Sequence, residues 1–108
     1  MNILFYLLVG HALADFSLQT EVMAKGKNRH RSPDFPSKFP HWIYWLTAHA
    51  LIHGGAVAIV TGIWWLGPIE TVCHWLIDFG KCEEWYKNHV DQALHIACKL
   101  VFWAYVIS

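Results

Sequence analysis

The chain has 108 residues, which is room for one domain but not two. Hydrophobic residues make up 56%, aromatic residues 16% and charged residues only 15%, against about 25% charged in an average soluble domain. That surplus of apolar surface argues for lipid as its cover, and a formal net charge of zero leaves no global basic field for nucleic acid.

In chain order, the first segment is expected as a helix over about 2–24. It is apolar through Val9 and then polar at His11, Asp15 and Gln19, one stripe of period four. It lacks a basic start and a small-residue cleavage site, so it reads as a retained helix and not a signal peptide. Residues 25–40 (KGKNRHRSPDFPSKFP) form a basic linker whose three prolines exclude a helix running through it. His30 in the linker and His41 at its end have no partner four residues away, so both read as solvent or interface histidines.

The second helix is expected over about 41–66, well beyond the roughly 20 residues that span hydrocarbon. It carries His49 and His53, with small residues at Gly54, Gly55 and Gly62 and an aromatic end at Trp64 and Trp65. Gly67-Pro68 reads as a tight break. The third helix, about 68–85, carries His74 and Asp78 and is the least certain span. A polar turn over 80–88 leads to the fourth helix, about 89–107, with Asp91, Gln92 and His95. Lysine and arginine concentrate in the 25–40 linker and the 80–88 turn. The positive-inside rule then puts both basic loops in the cytoplasm of a multi-pass protein in a bacterial inner membrane. The fold expected is all-α: a four-helix up-down transmembrane bundle forming a single domain over 1–108.

Four His/Asp or His/His pairs recur at a spacing of four: His11/Asp15, His49/His53, His74/Asp78 and Asp91/His95. Residues four apart on a helix share a face. In an up-down bundle they sort into one layer of His11, His53, His74 and His95. A second layer, about 6 Å away at 1.5 Å per residue, holds Asp15, His49, Asp78 and Asp91. An ionised aspartate in hydrocarbon costs at least ~2.5 kcal/mol, so three of them call for compensation. The eight residues are therefore expected to ligate divalent metal, two ions, zinc first and manganese or iron next. Gln19, Gln92 and Lys99 lie beside the ligands as candidate outer-shell groups, and Lys81 reads as a marker of the cytoplasmic boundary. Cys73, Cys82 and Cys98 have no CxxC spacing and read as helix-packed thiols.

The run His11 to Gln19 (HALADFSLQ), Met23 to Lys27, His49 to His53, His74 to Lys81 and Asp91 to His95 resembles a family of small bacterial and phage integral membrane proteins without assigned function. The resemblance implies one complete membrane domain and no particular activity. In chemistry alone, the His-x-x-x-Asp pairs are similar to those of all-helical zinc phospholipases C and single-strand nucleases. Two functions follow as expectations. One is a membrane-embedded hydrolase of phosphoester or lipid-linked substrates, with Asp15, Asp78 or Asp91 as catalytic carboxylate. The other is a non-enzymatic membrane protein whose metal or polar core is structural, moves ions or binds a partner, a second copy included. A di-iron oxidase fits less well, because none of Glu70, Glu83 and Glu84 has Glu-x-x-His spacing.

Overall fold

Asn2 caps the first helix by accepting a hydrogen bond from the Phe5 amide at 3.0 Å. The computed structural model describes residues 2–17, 19, 25–30 and 42–108, and all regular structure among them is helical. Helix α1 covers Ile3–Ala12 and runs into a π-helical turn, Leu13–Ser17; α2 covers Trp42–Thr61, α3 Leu66–Cys82 and α4 Asn88–Ile107. Four- and five-residue links make α2, α3 and α4 antiparallel neighbours. Each helix packs on two others in a closed square, with α2 on α3 the most extensive contact.

Several boundaries differ from expectation. The first helix does not run unbroken to Ala24, since Gln19 is not helical; residues 18 and 20–24, Met23 and Ala24 among them, lie outside the described residues, as do 31–41 with His41. Within the expected linker, residues 25–26 are helical and turns follow. The break between α2 and α3 falls at 62–65, not at Gly67-Pro68. Gly62 adopts φ +72°, a conformation open to glycine, while Pro68 sits in the first turn of α3, where its missing N–H costs nothing.

The end of α3 is a Schellman motif. The Glu84 amide donates to the Lys81 carbonyl at 2.9 Å and the Trp85 amide to the Gly80 carbonyl at 3.1 Å. Trp85 closes edge-on against Phe79 at 5.8 Å. The left-handed position falls on Glu84, at φ +63°, where glycine is the usual occupant.

Helices α2 and α3 approach closely at two glycines. A Cβ on Gly54 would lie 2.6 Å from the Gly67 carbonyl, and one on Gly67 would lie 3.2 Å from that of Gly54. The approach stacks the side chains in layers of four along the bundle. At one end, Leu7, Val57, Leu66 and Phe102 form a small apolar core.

Elsewhere burial is inverted. Among the described residues, eleven buried side chains are polar or charged and eight are apolar. Large apolar groups instead face outward, including Ile59 (84% exposed), Trp64 (76%), Val101 (66%) and Leu76 (59%). A soluble fold arranges these the other way round. Helices α2 and α4, with mean hydropathy 1.5 and 1.3, are long and apolar enough to cross a membrane. The other two are not: α1 has ten residues before the π turn, and α3 has 17 and carries Glu70, Asp78 and Lys81. Of the four spans expected, two are membrane-capable by length and composition among the described residues.

Two substitutions test this frame. Glu84→Gly relieves the left-handed strain and is expected to raise stability by about 1 kcal/mol. Gly54→Ala is expected to lower it by about 1–3 kcal/mol through overpacking against Gly67. Thermal unfolding of the purified variants reads both.

Candidate metal centre

Each helix brings its pair of polar residues to the bundle axis because the pair repeats every four residues on an otherwise apolar surface. The π turn at 13–17 places Asp15, and its wider winding leaves His11 Nε2 3.8 Å from Asp15 Oδ2. His11, His53, His74 and His95 stand together as one layer. The rings of His53 and His74 stack at 3.6 Å, those of His74 and His95 at 4.1 Å, and His11 lies 5.3 and 5.4 Å from His53 and His95. One turn away, Asp15, His49, Asp78 and Asp91 form the second layer, and all eight side chains are buried.

The carboxylates tie the layers together. Asp15 Oδ1 is 3.2 Å from His49 Nε2 and 3.2 Å from His53 Nε2. Asp78 is the most heavily used: Oδ1 lies 3.1 Å from His95 Nε2, and Oδ2 lies 3.2 Å from His49 Nε2 and 3.3 Å from His74 Nε2. Asp91 Oδ1 is 3.3 Å from His95 Nε2. Two ligand-competent sets emerge, Asp15–His49–His53–His74 and His74–Asp78–His95, whose donor atoms lie within 4.8 Å of one another in each. They share His74, so they form one continuous cluster. His11 and Asp91 stand outside both. Gln92 joins them to it, accepting from His11 Nε2 at 2.9 Å and donating to Asp15 Oδ2 at 2.7 Å and Asp91 Oδ2 at 3.2 Å.

These donors fit a metal ion. His53 Nε2 and His74 Nε2 sit beside carboxylate oxygens but off any hydrogen-bond direction, and neither nitrogen of either ring has a hydrogen-bond partner. Buried polar atoms left this way need another explanation. His49 Nε2 and His95 Nε2 do pair, with Asp15 Oδ1 at 3.2 Å and Asp78 Oδ1 at 3.1 Å, so the two unpaired imidazoles beside these carboxylates are what mark a ligand set. The buried His/Asp group can therefore hold a metal ion.

The remaining expected residues fall around this centre. Gln19 donates to the Asp15 carbonyl at 3.1 Å. Lys99 neither reaches an interface nor faces the open end; it is buried with its Nζ 2.5 Å from Glu70 Oε1. Spacing did not single out Lys27, which is buried and donates to Asp78 Oδ2 at 2.9 Å and Gln19 Oε1 at 2.6 Å. Only the Met23–Lys27 motif pointed to it. Glu70, weighed in the sequence only against Glu-x-x-His spacing, lies four residues before His74 and extends the same period.

A cavity of about 370 Å3 opens onto the carboxylate layer. Asp15, Asp78 and Asp91 line it together with Lys27, Lys81 and Gln92. It lies at the end of the bundle where the basic linker and the α3–α4 turn meet. There Arg29 pairs with Glu83 through both carboxylate oxygens, and His30 Nε2 lies 2.8 Å from Glu83 Oε2. The Arg29 guanidinium, followed by His30, holds the Glu83 carboxyl below its ordinary pKa.

Among known proteins, a family described as "Protein of unknown function (DUF3307)" has a model that matches residues 3–108, and the chain belongs to that family. No curated protein and no solved structure matches it.

Two outcomes are expected. Protein purified without chelator retains divalent metal by elemental analysis, and His53→Ala and Asp78→Ala each lose it. The Glu83 pairing contributes above the ordinary carboxylate range and disappears as pH falls through the lowered pKa. Amide protection over residues 25–30, taken relative to the intrinsic exchange rate at each pH, is therefore expected to be present at neutral pH and lost below about pH 4; in Glu83→Gln it is low throughout.

Proposed function

We propose that the protein is a membrane-embedded, metal-dependent hydrolase acting on a phosphoester, most simply a lipid-linked phosphate, at the basic face of a bacterial inner membrane. The observation that carries this reading is the cavity: the three aspartates of the cluster and two lysines share one opening. A purely structural centre needs no such access.

Asp15, His49, His53 and His74, with Asp78 and His95, would hold the metal, two ions in the fullest form, with zinc the best match to four imidazoles and two carboxylates. Bound divalent metal supplies Lewis acidity toward a phosphoryl oxygen and eases deprotonation of water. Asp91 is the group available as general base, since it lies outside both ligand sets, faces the cavity and has no hydrogen bond at Oδ1. Gln92 holds Asp91 and Asp15 in register. Lys27 and Lys81 bring positive charge to the cavity, where a phosphate would sit.

The basic linker and turn put this opening on the cytoplasmic side by the positive-inside rule. Spanning helices α2 and α4 would carry the shorter α1 and α3 between them. Glu70 and Asp78 of α3 face the interior, so its outer face stays apolar toward lipid. One observation favours the second reading, a non-enzymatic polar core that serves structure, ion movement or a partner. The aspartates already approach imidazoles at 3.1–3.3 Å, which closes the cluster on itself.

Metal-loaded protein in detergent is expected to release phosphate from an aryl phosphoester or a lipid phosphate. Asp91→Asn should lose about 100-fold or more in rate while keeping its metal. Metal content intact in a protein that turns over none of these substrates would sink the hydrolase and favour the structural centre.

A further inference from the structure

Between the apolar core and the histidine layer lies a second buried charge pair that the proposed chemistry does not use. Glu70 on α3 and Lys99 on α4 are each 1% exposed, with Nζ 2.5 Å from Oε1. Neither lines the cavity at the carboxylate end. The gap bounded by Lys99, His11 and His53 has no room for a water molecule, so nothing there solvates the pair. Replacing a buried ion pair by apolar side chains is often neutral or stabilising. Stability is therefore a weak reason for this one to exist.

Its position supplies a better reason. Glu70 precedes His74 by one helical turn, and the same Oε1 that meets Lys99 lies 3.5 Å from His74 Nδ1. The other nitrogen of that ring, Nε2, lies 3.3 Å from Asp78 Oδ2. His74 is the residue common to both ligand sets. Among the described residues, no other imidazole of the cluster has a carboxylate within ion-pair distance of its Nδ1. A small rotation of the ring brings Nδ1 to hydrogen-bond distance of Glu70.

We infer that Glu70 is a positioning residue for the metal centre, an inference that rests on the cluster binding metal. Glu70 accepts the Nδ1–H of His74, which leaves the Nε2 lone pair turned toward the ligand site. Lys99 anchors Glu70 and offsets its charge, so the carboxylate can act in a dry environment without adding net charge to the bundle. Outer carboxylates of this kind fix the tautomer and raise the basicity of a ligating imidazole, and their loss commonly weakens metal binding by about 10- to 100-fold.

The test uses the full chain in detergent with zinc alone as the probe. Zinc affinity is measured by chelator competition for the unaltered protein, for Glu70→Gln, and for the double variant Glu70→Leu/Lys99→Met, which removes both charges and keeps an apolar fit. Both variants are expected to bind zinc about 10- to 100-fold more weakly. Unchanged affinity in the double variant would mean that the pair is only an ion pair, and would overturn this inference while leaving the metal reading intact. An unaltered protein that binds no zinc overturns both. Nitrogen-15 shifts of His74 in the unaltered, zinc-loaded protein need no variant. Protonation at Nδ1 is expected, and a proton on Nε2 overturns the assignment.

Discussion

Asp78 is the carboxylate on which the bundle converges. Its two oxygens meet His49 from α2, His74 from its own helix, His95 from α4 and Lys27 from the segment after α1. Removing a carboxylate from water is costly unless partners replace its hydration, and here every neighbouring element supplies one. That requirement is met where α2 packs on α3, through His49, and where Lys27 docks. An outward apolar surface makes it stricter, since away from the cavity at the carboxylate end the charges are stabilised by one another.

The period of four was readable in the sequence, and with it the residues that reach the bundle axis, although His11 and Asp91 fall outside both ligand sets. His11, His49, His53, His74, His95 and the three aspartates all reached the axis because helical spacing is set locally and apolar neighbours left each pair one inward direction. The same period extends to Glu70 ahead of His74 and to Lys99 after His95, yet their mutual pairing depends on which helices become neighbours, something spacing alone does not specify. Lys27 was hidden for a similar reason. A lysine among basic, proline-rich neighbours looks like a loop charge until the tertiary fold brings it over Asp78.

Boundaries were less legible than membership. Gly67-Pro68 looked like the turn because proline and glycine often end helices, but proline is also at home in a first turn; the actual reversal used Gly62 and its positive φ. The π turn at 13–17 left no mark in the sequence. By length and hydropathy, two of the described helices and not four are capable of crossing a membrane, since α1 is short and α3 carries three charged residues in 17 positions. In the proposed membrane setting, α1 is apolar but short, and α3 is held by the cluster more than by its own hydrophobicity.

That inside-out burial bears on how such a chain could be made. In the proposed membrane setting, α3 released alone into hydrocarbon would present Glu70 and Asp78 to lipid with Lys81 as the one opposite charge on the helix, whereas α2 carries only neutral-capable imidazoles. The four-residue link and the contact at Gly54 and Gly67 let the two enter as a hairpin, with Asp78 already beside His49. Biogenesis would then proceed by pairs of helices, and a translocation machinery handling this chain must shelter α3 until its partner is in place.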